Sequence, residues 1–71
     1  MDRSPVNSRN LKSVGYDMTA AVLEIEFWSE QRVYQYFGVP YLEYQGLMSA
    51  PSLGKYHRRH IIDTYRFERV R

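Results

Sequence analysis

The clearest pattern in the chain is a strict alternation of apolar and acidic side chains between residues 21 and 28. The apolar positions are Leu23, Ile25 and Phe27, and the acidic positions between them are Glu24 and Glu26. Successive side chains of a β-strand point to opposite faces of a sheet, so a period of two is typical of a strand with one buried face. Residues 21–28 are therefore predicted to form a half-buried strand.

Weaker strand patterns lie on both sides of this segment. Leu11–Tyr16 alternates over a shorter distance and leads into the turn-like residues 17–19. Residues 31–39 are rich in valine, tyrosine and phenylalanine, which favour strands. Ser29 and Glu30 lie between the second and third strands and indicate a hairpin tip there.

Helical patterns follow the third strand. Pro40 fits the first turn of a helix, where its missing N–H costs nothing, and Pro51 ends that helix. Ser52 can cap a second helix, because its hydroxyl can accept a hydrogen bond from an unpaired backbone N–H. The face of this helix expected to meet the sheet carries Leu53, Tyr56, His60 and Ile61. Residues 65–70 alternate again and are predicted to form a closing strand.

Together these elements predict an α+β fold in the order βββααβ, a small antiparallel β-meander packed against two short helices. Residues 1–5 are expected to be a flexible lead-in, and residues 6–71 a single domain. The predicted core consists of Leu23, Ile25, Phe27, Tyr36, Val39, Tyr44, Leu47, Tyr56 and Ile61.

Size and composition narrow the classes of function. Seventy-one residues leave room for one small core, and the absence of cysteine excludes disulfides and thiolate metal sites. No apolar stretch approaches the ~20 residues that span a bilayer, and the first residues show no signal-peptide pattern. We therefore expect a cytoplasmic protein without a membrane partner.

Charge is distributed unevenly along the chain. The whole chain carries +2, but residues 55–71 carry six cations against two anions, which leaves the rest of the chain negative. The cations of this segment are Lys55, Arg58, Arg59, Arg66, Arg69 and Arg71. A basic end of this kind can neutralise phosphates, although solubilising charge on a helix face has the same pattern.

Several short motifs occur together in one order. They are Ser8-x-Asn10, Gly15-Tyr16-Asp17, residues 23–27, Tyr34-x-Tyr36, Val39-Pro40, Ala50-x-Ser52-x-Gly54-x-Tyr56, Ile61 and Tyr65. As a set they resemble the KTSC domain, a family named for its place at the C-terminus of some lysyl-tRNA synthetases and also found as stand-alone small proteins. The likeness runs from Val6 to Tyr65.

The resemblance implies an α+β domain without an assigned biochemical activity, and it carries a proposed RNA-binding role with it. Two positions depart from the family pattern. Ser29-Glu30 replaces a typical glycine at the hairpin tip, and His57-Arg58 stands where the family usually has Phe-Asn. The second departure makes the second helix more basic.

The orientation of Tyr34 and Tyr36 depends on the register of the hairpin. A two-residue loop pairs Ile25 with Tyr34 and Leu23 with Tyr36, which places both tyrosines in the core. A slip of one residue turns both outward, where they could stack on unpaired bases. The candidate nucleic-acid-binding residues are Tyr34, Tyr36, Lys55, Arg58, Arg59 and Arg66.

The sequence offers little for catalysis. His57, His60 and Asp63 lack the further ligands of a metal site, and no Ser or Thr is paired with either histidine in a nucleophile pattern. We therefore expect no metal, cofactor or small-molecule substrate. The predicted function is a small non-enzymatic binding module that takes RNA through a basic helix and an aromatic strand; the alternative is an interaction module that binds a protein partner or itself.

Overall fold

The computed structural model describes every residue from Met1 to Arg71. Five strands form one sheet whose spatial order equals the chain order, and every neighbouring pair is antiparallel. The strands are β1 (Ser4–Pro5), β2 (Leu11–Asp17), β3 (Val22–Phe27), β4 (Val33–Phe37) and β5 (Phe67–Arg69). Two helices connect β4 to β5: α1 (Tyr41–Ser49) and α2 (Leu53–Tyr56), the latter continuing into a π-helical turn (His57–Ile61).

The predicted fold class is confirmed, with one strand added at the front. Ser4 pairs with Val14 and Pro5 with Ser13, so a two-residue edge strand lies within the expected flexible lead-in, residues 1–5. Proline is tolerated there because an edge strand leaves one side without ladder partners. The closing strand is shorter than predicted, Phe67–Arg69 instead of residues 65–70.

The hairpin between β3 and β4 has the predicted register but a longer loop. Ile25 lies opposite Tyr34 and Leu23 opposite Tyr36, as a two-residue loop would also give. The connection is instead a 3₁₀ turn at Ser29–Gln31, so the predicted two-residue tip is wrong. Glu30 and Gln31 have φ values of 56° and 50°, the left-handed region that favours glycine.

One face of the sheet packs against the helices and forms the core. Its fully enclosed side chains are Leu11, Val14, Leu23, Ile25, Tyr36, Val39, Leu47 and Ile61. Phe27, Tyr44 and Tyr56, which were predicted as core, are half-buried and pack around this cluster. Leu11 and Val14 were missed because the alternation in β2 is interrupted by a bulge between Leu11 and Ser13.

The second helix is turned differently from the prediction. Ser52 caps it as expected, accepting a hydrogen bond from the Lys55 N–H at 3.3 Å. His57 is buried and His60 is exposed, so the prediction that His60 faces the sheet is wrong. The helix widens after Tyr56, where the Ile62 N–H bonds the His57 carbonyl at 2.9 Å, and a π turn does not keep the 3.6-residue period on which the prediction relied.

The opposite face of the sheet is polar and is stabilised by ion pairs between side chains. Glu24 and Glu26 are buried there, and Arg3 bonds Glu24 while Arg71 bonds Glu26 at 2.7 Å. Burial alone would raise the pKa of Glu24, but hydrogen bonds from Gln35 and Arg3 outweigh it and lower that pKa. Both glutamates are therefore held ionised on this face.

Helix α1 is joined to α2 through the Glu43 carboxylate. Tyr56 and Tyr65 both donate their hydroxyls to it, the second at 2.9 Å. The hydrogen bond that Tyr56 donates to the Glu43 carboxylate raises the pKa of Tyr56 to about 12, so that hydroxyl stays protonated. Gly46 makes the approach possible, since a Cβ at this position would overlap the Tyr56 ring.

Neither helix has the length and apolar character required to cross a membrane.

Candidate functional site

A cleft of about 300 Å³ opens where β2 begins and β3 ends. Three arginines from separate parts of the chain line it: Arg9 before β2, Arg32 before β4 and Arg58 on the π turn. Trp28 and Asn10 contribute to its remaining wall. We call this the arginine cleft.

The arginine cleft continues along the start of α2 into a second groove. Arg9 and Arg58 line both, and Lys55 adds a fourth cation to the groove. The two segments approach closely because position 54 is glycine: a Cβ there would lie 2.6 Å from Asn10 Nδ2. Gly54 thereby brings the loop that carries Arg9 against the helix that carries Arg58.

The cations of the arginine cleft have no carboxylate partners. No aspartate or glutamate lines either cavity. The salt bridges of the protein use Arg3, Lys12 and Arg71, all directed at Glu24 or Glu26 on the polar face. The positive charge of the cleft is thus left available to an anionic ligand.

Trp28 is held in a fixed position with much of its ring accessible. Its side chain Nε1 donates to the Ser8 carbonyl at 3.1 Å, and its backbone N–H bonds the Asn10 carbonyl at 3.0 Å. Lys12 Nζ lies 5.3 Å from the indole centroid, a cation–π distance. With 53% of the residue exposed, the indole is a flat surface at the edge of the cleft.

An apolar pocket of about 200 Å³ adjoins the arginine cleft. Phe27 and Tyr34 meet edge to face in its wall, with ring centroids 5.7 Å apart. We call it the aromatic pocket; it is lined by Phe27, Arg32, Tyr34, Tyr36, His57 and Ile62.

His57 lies between this pocket and the core. Its Nε2 is 2.7 Å from the Tyr36 hydroxyl, and its ring meets Phe27 edge to face at 5.3 Å. Burial, with a smaller contribution from Arg58, lowers the pKa of His57 to about 4, so the imidazole is neutral at physiological pH. Burial likewise raises the pKa of Tyr36, so the pair carries no charge.

The structure brings only some of the candidate nucleic-acid-binding residues close together. Lys55 and Arg58 lie together beside Arg9, whereas Arg59 lies with Lys55 in a shallow depression on another side of the helix. Arg66 is remote, because its guanidinium lies 5.0 Å from the ring of Phe37 on the polar side of the sheet. The predicted basic set is therefore not one patch.

The two candidate tyrosines face the core, so the outward alternative is wrong. Tyr36 is 1% exposed and cannot stack on a base from solvent. Tyr34 is half-buried, and Phe67 of β5 stacks on it at 5.5 Å. The physical reason is the hairpin register, which puts both rings on the same side as Leu23 and Ile25.

Sequence reasoning did not select Arg9, Arg32 or Trp28 for this site. Arg9 belongs to a polar loop and Arg32 to the hairpin, and neither lies in a run of basic residues that would single it out. The Ser8-x-Asn10 motif was the available signal, since both residues hold the loop that carries Arg9.

The arrangement is suited to binding. No three histidine, aspartate or glutamate side chains come together in a way that could hold a metal ion. The site consists of cations without carboxylates, an exposed indole and an aromatic pocket. Such a set favours a ligand that carries both negative charge and flat rings.

These features define a small α+β domain with a cationic and aromatic cleft at one end of its sheet. The family model of the KTSC domain matches residues 7–65, and the chain belongs to that family. It is 41% identical over 56 residues to a protein of Stutzerimonas stutzeri (strain A1501) described as uncharacterized, a match that covers 79% of this chain and 78% of the relative. The crystal structure of a KTSC domain protein from Yersinia pestis superimposes with a TM-score of 0.94 at 36% identity, covering 99% of this chain and 97% of that one.

Proposed function

We propose that this KTSC domain binds single-stranded nucleic acid, with RNA as the ligand, through the arginine cleft. The observation that carries the proposal is the convergence of Arg9, Arg32 and Arg58 around a carboxylate-free cleft beside an exposed Trp28. Single strands are held by cations that follow the backbone and by aromatic faces that stack on the bases. Arginine also suits phosphate, because its planar fork can bond two oxygens at once.

The charge distribution supports this ligand more strongly than the net charge suggests. The buried glutamates pair with Arg3, Lys12 and Arg71, so the two negative charges of this face are balanced by cations that lie outside the arginine cleft. Lys55 and the three arginines of the cleft have no such partner. A chain with a small net charge can therefore present a locally strong positive surface.

The test is the salt dependence of binding to a fluorescent single-stranded RNA of about ten nucleotides, a length within the range that small domains occupy. Affinity is measured by anisotropy between about 50 and 200 mM KCl, since each neutralised phosphate contributes about 0.7 to the slope of log K against log salt on a single strand. The variants are Arg58→Gln, Arg9→Gln and, as a matched control, Arg66→Gln.

We expect Arg58→Gln and Arg9→Gln each to weaken binding several-fold and to reduce the slope by about 0.7. Arg66→Gln removes an equal charge from the opposite side of the sheet, where Arg66 lies over Phe37, and is expected to change neither quantity. The proposal fails if low-salt binding is absent, or if Arg66→Gln weakens binding as much as Arg58→Gln does.

The second candidate function is self-association through β5. This strand is the edge of the sheet and all three of its residues are exposed, including Phe67 at 47%. An unpaired edge strand can accept a strand from another chain. Light scattering after a sizing column, at low and high salt, tests this: a salt-insensitive dimer that Arg69→Pro abolishes supports it, because the Arg69 N–H points away from β4, and a monomer at all concentrations contradicts it.

A further inference from the structure

The arginine cleft and the aromatic pocket share a wall. Phe27, Arg32 and His57 line both, so the two cavities meet along these three side chains. We infer that together they form a site for one nucleotide, in which the aromatic pocket holds the base and the arginine cleft holds its phosphate. This inference rests on the proposed function and deepens it, because it names the unit of the strand that the domain recognises.

The aromatic pocket has the size and walls that a base requires. Its volume of about 200 Å³ leaves room for a single flat ring system. Tyr34 and Phe27 present ring surfaces, and Ile62, 39% exposed, lies at its rim. Aromatic and aliphatic side chains around one base supply the stacking energy that recurs in single-strand binding.

The pocket also contains polar groups that can orient a base. The Tyr36 hydroxyl bonds Nε2 of His57, so Nδ1 is the ring nitrogen of His57 that has no hydrogen-bond partner within the protein. Arg32 lies with its guanidinium 6.0 Å from the centroid of the Tyr34 ring. A few convergent polar groups in a mostly apolar pocket are the usual way in which small sites fix the orientation of a ligand.

The local backbone is specialised at the same place. His57 begins the π turn, and such turns recur at functional sites because they displace a side chain from its helical position. On the other side of the pocket, Glu30 and Gln31 hold left-handed conformations next to Arg32. Strained backbone of this kind is often found where a ligand is held.

The phosphate and the base have separate partners. Arg9 and Arg58 line the cleft but not the pocket, whereas Ile62 and Tyr34 line the pocket but not the cleft. A ligand with phosphate and no base should therefore contact only the first pair. A nucleotide should contact both.

Nuclear magnetic resonance of the full chain with labelled isoleucine methyls and arginine side chains separates the two halves of the site. The probes are adenosine 5′-monophosphate, uridine 5′-monophosphate and ribose 5-phosphate. We expect the nucleotides to shift the Ile62 methyls and the Arg58 side chain, and ribose 5-phosphate to shift only Arg58. Ile25 and Ile61, both fully buried in the core, serve as internal references.

The variant Ile62→Trp should fill the rim of the pocket without touching the core. We expect it to weaken nucleotide binding about tenfold, down to the affinity of ribose 5-phosphate, because one stacked base contributes about that much. Leu42→Trp is the matched control, since Leu42 is 76% exposed on α1 and lines neither cavity. It should leave nucleotide affinity unchanged.

The outcomes separate this inference from the proposed function. RNA that binds through Arg9 and Arg58 while Ile62 stays unshifted overturns the inference and leaves the proposed function intact. Nucleotides that shift Ile62 while no RNA strand binds overturn the proposed function and retain the nucleotide site. Equal affinity for nucleotide and ribose 5-phosphate overturns the inference.

Discussion

The Tyr36 hydroxyl and Nε2 of His57 lie 2.7 Å apart in the interior and join β4 to the π turn. Both residues are at most 6% exposed, so neither group can turn to water without opening the helix from the sheet. The bond satisfies two buried polar groups at once, and a buried polar group without a partner costs about 1–3 kcal/mol. It therefore acts as a fixed point between the two layers.

This pair makes stability depend on pH. The pKa of His57 is lowered from 6.5 to about 4, so the unfolded chain binds more protons than the folded one between those values. The free energy of unfolding should hence fall as the pH drops from 6.5 toward 4, by an amount on the order of 2 kcal/mol. Urea unfolding at several pH values measures this.

His57→Gln should remove most of that pH dependence, at the cost of lower stability at pH 7. His60→Gln is the matched control, because His60 is exposed on the same helix. Glu24 and Glu26 contribute from about pH 4.5 downward, at the low end of this window and below it, since their pKa values are lowered from 4.5. If the free energy of unfolding of His57→Gln depended on pH as steeply as that of the parent, His57 would not be the source of the pH dependence.

Arg3 is expected to stabilise the fold through the buried carboxylates. Arg3→Met leaves Glu24 without its cation, and we expect a loss of about 1–3 kcal/mol at pH 7. The pKa of Glu24 is lowered in the folded protein, so its contribution is present above 4.5 and is lost as the pH falls through the folded value. The difference in the free energy of unfolding between Arg3→Met and the parent, measured by urea unfolding, should shrink toward pH 3. Arg9→Met removes no carboxylate contact and should show no such dependence on pH.

Gly46→Ala should destabilise the protein, although alanine normally favours a helix. A methyl group at this position would overlap the hydroxyl end of Tyr56, which is held by Glu43. Overpacking of this kind costs about 1–3 kcal/mol. Thermal unfolding of Gly46→Ala, Tyr56→Phe and the double variant measures it: the alanine should cost less once the hydroxyl is gone, and additive effects would contradict the overlap.

Trp28 should report binding directly, since it is the single tryptophan of the chain. We expect single-stranded RNA to quench its fluorescence as bases stack on the indole. Trp28→Phe should lower affinity by about 1 kcal/mol and leave the salt slope unchanged, because stacking releases no counter-ions. Tyr41→Leu, which alters an exposed aromatic residue on α1, is the control; an equal loss there would argue against stacking on Trp28.

The sequence predicted those parts of the fold that depend on short-range patterns. Alternation in β3 placed Leu23 and Ile25 inside, and the hairpin then carried Tyr34 and Tyr36 to the same face. The Phe27 N–H bonds the Arg32 carbonyl, so the loop is residues 28–31 and was predicted two residues too short; lengthening it by one residue on each side preserves the pairing. One of the two predicted alternatives, with Tyr34 and Tyr36 facing the core, was therefore correct although the loop length was wrong.

The site was harder to predict because tertiary contacts assemble it. Arg9, Arg32 and Arg58 are far apart in sequence and meet only where Gly54 lets the loop with Asn10 approach the helix. The buried position of His57 was missed because helical spacing assumes a regular helix, and the chain widens into a π turn there. No local signal in the sequence marks such a turn.

The order in which the strands pair also has a consequence for how the molecule forms and opens. Strands β1 to β4 each pair with their neighbour across a short connection, whereas β5 reaches β4 only after both helices have been completed. Closing that long loop carries the larger entropic cost, so β5 should join last and detach first. In native-state hydrogen exchange we expect the Val70 amide, which bonds the Val33 carbonyl, to exchange well before the amides of β3.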